Sequence, residues 1–265
     1  MGRPGAFEFA PRNRENARMT VDIHAATDIG LRRTQNEDHH AWWASPTPPE
    51  AAVLIVADGM GGARAGEVAS QLTVDFVLAG CRESGPRADA AEVKRVVEGA
   101  NAAVHQESLV HPDRRGMGTT CTVVVLKGRD AVFAHVGDSR AYLVRNRRIE
   151  QITRDHSLVA QLVEFHHLTP EEARIDPRRN VVTRSLGVGP VVEVDAGSVN
   201  GGLRDGDTLL LCTDGLHGLI EDSELLEHAA GPDLDAGCRA LIELAKQRGG
   251  HDNITLILAR LALDP

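Results

Sequence analysis

The chain has 265 residues, of which 42% are hydrophobic and 25% charged, the proportions of a folded domain large enough to hold a core without disulfide or metal staples. Acidic residues outnumber basic ones, 38 to 29, for a net charge of −9, and only 3% of residues are aromatic. This excludes a basic face for nucleic acid or anionic membrane and a base-stacking surface. No apolar stretch approaches the ~20 residues of a transmembrane helix. The polar, Arg-rich start has no signal-peptide core, and the sequence predicts a soluble, cytoplasmic protein.

Residues 1–18 mix Gly, Pro, Asn and charges without periodicity and read as a flexible tail, leaving one domain over 19–263. Val21, Ile23 and Ala25 alternate with Asp22 and His24, as in a half-buried strand. Residues 51–57 form a continuous apolar run that ends in Asp58-Gly59, a buried strand delivering a turn. Ala65, Val68, Ala69, Leu72 and Phe76 fall at helical spacing, and Val93, Val96, Val97, Ala100 and Val104 carry a second helix. Strands follow over 119–126, 131–136 and 141–145, then a charged helical stretch over 155–175. Further strands are expected over 181–183, 191–194 and 208–212, helices near 222–229 and 234–247, and a last strand over 254–261. Strands in blocks with hairpin-length links favour an α+β fold of antiparallel sheets layered with helices over a parallel sheet.

The four cysteines, Cys81, Cys121, Cys212 and Cys238, form no CxxC pair, which argues against a zinc knuckle, a redox motif or a disulfide framework. Cys121 and Cys212 sit in apolar strand-like runs and read as buried, inert thiols. The ligands of any metal site are then not thiolates.

Acidic residues recur at or beside strand ends, mostly next to Gly: Glu37-Asp38, Asp58-Gly59, Gly137-Asp138, Asp214-Gly215 and Asp252-Asn253. Taken singly, an Asp-Gly pair is a turn, and Asp205-Gly206 reads as one. As a set they place several carboxylates at the ends of buried strands, where each is partly desolvated and needs a cation to remain charged. An all-oxygen donor set suits Mg²⁺ or Mn²⁺ rather than Zn²⁺ or Cu²⁺. Gly59-Met60-Gly61-Gly62 lacks the Lys-Ser/Thr of a P-loop, and no Rossmann fingerprint is present.

The segments 27–38 (TDIGLRRTQNED), 57–62 (ADGMGG), 66–70 (GEVAS), 116–120 (GMGTT), 136–140 (VGDSR), 212–216 (CTDGL) and 252–255 (DNIT), taken in order, resemble the motif series of the PP2C-type metal-dependent protein phosphatases, bacterial branch, across about residues 20–260. The resemblance implies a four-layer αββα sandwich with a two-metal site at one end. It implies a serine/threonine protein phosphatase in which a bridging metal-bound water attacks the phosphate ester. Asp58 would bridge the metals, with the Gly59 carbonyl on one of them. Asp214 and Asp252 would complete the second metal's shell, and Glu37 and Asp38 would act through metal-bound waters. Asn253 lies beside this set, and Arg33 matches the phosphate-binding arginine, whose planar fork grips two oxygens at once; Arg32 reads as solvent-facing. Phosphorylated proteins, and the serine/threonine kinases opposed, are the implied partners, and a monomer is assumed.

The sequence departs from the family pattern in three places. Met60 stands where some members have a His, so the leaving alkoxide takes its proton from another source. Gly218 replaces a common Asp, so a third metal shared by Asp138 and Asp214 would bind weakly. His251 replaces a common Pro. His39, His40, His166 and His167 carry no assigned role. Residues of about 145–190 cover the region of the family's mobile flap, here Arg-rich and acidic in patches. Two other readings stay open: a phosphatase-like regulatory binding module without turnover, and a two-metal hydrolase of small phosphate esters.

Overall fold

The structure, a computed structural model, describes residues 19–46, 51–61, 65–84 and 89–263; the expected N-terminal tail lies outside the described residues. In chain order the elements are β1 (Met19–Asp28), β2 (Asp38–Ala44), β3 (Ala51–Met60), α1 (Ala65–Ser84), α2 (Ala90–Val110), β4 (Gly118–Thr119), β5 (Cys121–Lys127), β6 (Asp130–Val136), β7 (Arg140–Arg145) and β8 (Arg148–Gln151). There follow α3 (Leu158–Glu164), α4 (Pro170–Ile175), β9 (Asp195–Ser198), β10 (Thr208–Cys212), α5 (Asp214–His217), α6 (Asp222–Ala229), α7 (Leu234–Gln247) and β11 (Ile254–Leu263). One sheet runs β1-β11-β10-β7-β8 and the other β2-β3-β5-β6-β9, with β4 paired to the end of β3. Neighbouring strands are antiparallel. This is the expected pair of antiparallel sheets with helices outside.

The unbroken apolar run of β3 follows from burial on both faces, since successive side chains point opposite ways. Ala52, Leu54 and Val56 face the other sheet and pack with Leu209, Leu211, Ile257 and Ala259. Val53, Ile55 and Ala57 face outward and meet Val74 and Val77 of α1 and Val93 and Val97 of α2. On the far side α6 and α7 place Leu225, Leu234, Leu241 and Ile242 against Leu210, Leu256 and Leu258. All four cysteines are free and buried, and burial pushes the Cys81 and Cys238 thiols up to about 12 and those of Cys121 and Cys212 higher still. Among the described residues no helix is long and apolar enough to cross a membrane.

Two parts of the chain differ from expectation. The edge strand β2 was not anticipated, because Asp-His-His-Ala-Trp-Trp-Ala has no clean alternation; it forms through its register with β3, Asp38 opposite Asp58 and Trp42 opposite Leu54. Conversely, 181–183 and 191–194 are not strands. The first holds a single bridge, Ser157 to Val182, the second holds none, and between them Leu186 bridges Thr119; regular pairing begins only at Asp195. Pro190 offers no N–H to a ladder, and α2 side chains take over the local backbone: Asn101 Oδ1 accepts from the Gly187 N–H at 2.8 Å, and Nδ2 donates to the Gly189 carbonyl at 3.1 Å. The charged stretch 155–175 is two short helices, α3 and α4.

That stretch is fastened to the sandwich by buried polar contacts. His135 Nε2–H donates to the Arg154 carbonyl at 3.0 Å while its Nδ1 meets the Thr122 hydroxyl at 2.9 Å. Burial holds its pKa down, to about 4, so the ring stays neutral at pH 7. The Arg140 guanidinium grips both Asp155 oxygens at 2.7–3.0 Å.

Leu54 is fully buried between the sheets. Leu54→Ala is therefore expected to lower the unfolding free energy by about 2–5 kcal/mol, measured by urea denaturation; a loss below about 1 kcal/mol would contradict this account of the inter-sheet core.

Candidate metal centre

Antiparallel pairing brings the ends of strands distant in sequence to one end of the sandwich. Asp38 opens β2 and faces Asp58 near the end of β3; Asp214 follows β10, and Asp252 precedes β11. Asp138 lies in the turn between β6 and β7. These carboxylates are close enough that Asp38, Asp214, Asp138 and Asp252 each act on the charge of Asp58. The structure thus brings together the acidic residues singled out in the sequence.

The backbone of Asp58 is locked from both sides. Its N–H donates to the Thr120 hydroxyl at 2.8 Å, and its carbonyl accepts from the Thr120 N–H and the Thr119 hydroxyl, both at 2.9 Å. Gly59 has no room for a side chain: a Cβ there would stand 2.1 Å from the Gly66 carbonyl oxygen and 2.6 Å from that of Glu37. The N-terminus of α1 can approach the end of β3 this closely only because both residues are glycine. The Ser70 hydroxyl of α1 reaches the Glu37 carbonyl at 2.5 Å and meets His39 Nδ1 at 2.9 Å. A side chain at Gly215 would likewise come 2.0 Å from the Asn253 carbonyl oxygen.

Asn253 ties the loop before β2 to the start of β11. Its Oδ1 accepts from the Glu37 N–H at 2.8 Å, and its Nδ2 donates to the Ile29 and Gln35 carbonyls at 3.0 and 2.9 Å. That loop carries Arg33, whose Nη2 donates to Asp252 Oδ2 at 2.7 Å and whose Nη1 stands 3.9 Å from Glu37 Oε2. The Arg33 side chain is 47% exposed, and its neighbour Arg32 is exposed as expected.

The electrostatics are those of an anion cluster in want of a cation. Burial raises the pKa of Asp58 well above the ordinary carboxylate range, and Asp38, Asp214 and Asp138 raise it further. Burial pushes Asp38 up to about 7, opposed by hydrogen bonds from Thr255 and Thr213 and reinforced by Asp214. Asp214 rises through burial and the charge of Asp252, and Asp138 through burial and the charge of Asp214. Burial also raises Glu37, against the pull of Arg33. The Thr213 hydroxyl donates to Asp38 Oδ2 at 2.8 Å. The other oxygen, Asp38 Oδ1, is buried without a hydrogen-bond partner, and so is Asp214 Oδ1. Buried acceptors of this kind are otherwise satisfied in folded proteins.

Two orphaned carboxylate oxygens within an all-oxygen donor set fit hard divalent cations. Among the described residues no three acidic, His or Cys side chains close into a ready-made cage. Mg²⁺ in particular binds through one or two carboxylates and keeps several waters, so it needs none.

Several contributors carried no sequence signal of their own. Thr120 and Thr213 act by hydrogen bonds to Asp58 and Asp38. His217, buried, donates from Nε2 to the Asp138 carbonyl at 2.9 Å, and burial holds its pKa down to about 3. Thr213 precedes Asp214 and Thr120 ends the GMGTT segment of the motif series, which is the hint the sequence held.

A sandwich of two antiparallel sheets with helices on both outer faces, and a candidate oxygen-ligand cation site at one end, is the class these observations define. Within it, the chain belongs to the protein phosphatase 2C family, whose model matches residues 32–249. It is 39% identical over 246 residues to the serine/threonine protein phosphatase PstP of Mycobacterium tuberculosis, covering 92% of this chain and 46% of that protein. The chain thus spans about half the length of that relative. It is 36% identical over 252 residues to the protein phosphatase PhpP of Streptococcus pneumoniae, covering 91% of this chain and 98% of the other. Among solved structures, the catalytic domain of PstP in complex with two manganese ions superposes with a TM-score of 0.80 at 35% identity, covering 92% of this chain and all of that one.

The raised carboxylates fix the sign of a pH effect. A carboxyl group whose folded pKa exceeds its unfolded one holds a proton in the native state that the unfolded state has released. Metal-free stability is therefore lost as pH rises through the folded values. His135 and His217, with pKa values held down, are neutral in both states only above about pH 7.5, and add no slope there. A cation replaces those protons. The increase in Tm on adding excess Mn²⁺ is expected to grow from about pH 6.5 to about pH 8, reaching roughly 2.7 kcal/mol of stabilisation at 100 times the dissociation constant, and to disappear in Asp58→Asn. A pH-independent increment in scanning calorimetry would contradict the assignment.

Proposed function

We propose that the protein is a Mn²⁺- or Mg²⁺-dependent serine/threonine protein phosphatase that hydrolyses phosphoserine and phosphothreonine in phosphorylated proteins, opposing serine/threonine kinases. The observation that carries this reading is the convergence of Asp38, Asp58, Asp138, Asp214 and Asp252 at one end of the sandwich, with two of their buried oxygens unpartnered. The names of the relatives and the two manganese ions in the PstP structure support it.

In this reading Asp58, the Gly59 carbonyl, Asp214 and Asp252 hold the cations, with Glu37 and Asp38 acting through water and Asp138 at the edge of the site. Two such cations supply a water-derived nucleophile near neutral pH and neutralise charge on the phosphoryl oxygens. The chain's own part is positioning. Locking of the Asp58 backbone by Thr119 and Thr120 fixes the carboxylate at the centre of the cluster without relying on side-chain contacts that the cations displace. Arg33, half exposed beside Asp252, presents a guanidinium that donates to two phosphate oxygens and orients the ester for in-line attack. Asn253 sets the height of the Arg33 loop against Asp252, so phosphate and cations are held in one frame.

Hydrolysis of a phosphothreonine peptide with Mn²⁺ is expected, with loss in EDTA and in Asp58→Ala. Arg33→Ala is expected to lower kcat/KM by about 10²–10³-fold, and Arg33→Lys to recover little, because a point charge does not replace the fork. A folded, Mn²⁺-binding protein with no turnover on peptide would refute the reading and favour a binding module; turnover confined to small esters would favour the small-ester hydrolase.

A further inference from the structure

The site does not end at the carboxylates. A cleft of about 770 Å³ starts at Arg33, Asp214 and Asp252 and runs outward under the segment between β8 and β9. Its outer wall is apolar where α3 presents Val159, Ala160 and Val163 and α4 presents Ala173, and Leu219 lines it from the sandwich side. Val159 is buried, while Val163, Ala173 and Leu219 are only half-buried, so apolar surface is left facing the cleft. A phosphorylated threonine fills a small part of such a volume; clefts of this size hold ligands with several times as many atoms.

The polar groups around the rim are mostly committed. Arg154 pairs with Glu164, Asp155 is held by Arg140, and Arg174 pairs with Glu221 at 3.1 Å while donating to the Ile220 carbonyl at 3.3 Å. This last contact joins α4 to the sandwich. Arg179 is the exception. It lines the cleft, is exposed, and its guanidinium has no acidic partner among the described residues. Asp222, at the start of α6, also lines the cleft.

We propose that this cleft receives the part of a protein substrate that flanks the phosphorylated residue. It selects a bulky apolar side chain, packed on Val163 and Ala173, together with an acidic side chain facing Arg179. The inference rests on the phosphoprotein reading above and deepens it. Two observations commit the occupant. The cleft is continuous with the residues that would hold the phosphate, so a chain whose phosphate lies at Arg33 must run along it or away from it. Its one uncommitted cation calls for an anion, and its apolar wall for a side chain that leaves water.

The test uses phosphothreonine peptides that differ only in their flanks: Gly throughout, one Leu scanned through the neighbouring positions, and the best Leu peptide with one added Asp. All are assayed with Mn²⁺ beside p-nitrophenyl phosphate, which is too small to reach α3. At one Leu position KM is expected to fall about tenfold with kcat little changed, the signature of binding felt equally in ground and transition states. The added Asp should lower KM a further few-fold. Val163→Asp should abolish the Leu preference, and Arg179→Glu should exchange the Asp preference for a Lys preference, both with turnover of p-nitrophenyl phosphate retained. Should Val163→Asp also lose that turnover, Val163→Ala, which only shortens the side chain, decides by a reduced Leu preference. Equal kcat/KM for Gly- and Leu-flanked peptides, or variants with unaltered preferences, would overturn the proposal and leave the phosphatase reading standing. Absence of turnover on every substrate would overturn that reading first.

Discussion

Like charges taken out of water repel each other, and at the end of this sandwich the fold forces them together. Asp38, Asp58, Asp138 and Asp214 are pushed toward their protonated forms by burial before any neighbour acts, and the charges of neighbouring carboxylates add to the effect. Hydrogen bonds within the cluster offset that cost only in part: Thr213 serves one oxygen of Asp38, while the other and one oxygen of Asp214 stay unpartnered. A cluster that is unfavourable by itself becomes favourable when divalent cations share it. The instability of the site and its capacity to bind cations are one property.

Such a cluster must be held by parts that do not depend on it. The core between the sheets, from Leu54 and Val56 to Leu209 and Ile257, fixes the strand ends. Hydrogen bonds to the backbone fix Asp58, Asp138 and Glu37, from Thr119 and Thr120, His217 and Asn253 in turn, whereas Asp38 and Asp252 each give one side-chain oxygen to Thr213 and Arg33. Side-chain oxygens are thereby left for other partners. The close approach of Gly59 and Gly66 follows the same logic, since at that point α1 meets β3 through the backbone.

Much of this was legible in the sequence. The run ending at Asp58 announced a strand buried on both faces, and an Asp after such a strand announced a desolvated carboxylate. The motif series then supplied the order in which the pieces meet. What escaped were elements defined by partners rather than by themselves. Strand β2 pairs through its register with β3 although its own pattern is irregular. The valines near 181–194 have strand propensity, but Pro190 and the side-chain grip of Asn101 on Gly187 and Gly189 keep them out of a ladder. The three hydrogen bonds of Asn253 reach residues 216, 224 and 218 positions away, a distance over which local pattern carries no information.

The buried cysteines set a limit on how the domain can be controlled. Oxidants and alkylating agents attack the thiolate, and only where it is accessible. Here burial keeps the Cys81 and Cys238 thiols protonated up to about pH 12, and the others beyond it. An enzyme that removes phosphate through a cysteine nucleophile exposes its catalysis to peroxide. This domain keeps every thiol within its packed interior and gathers its charged groups as carboxylates, so an oxidative burst that silences cysteine-based phosphatases would leave its own thiols untouched.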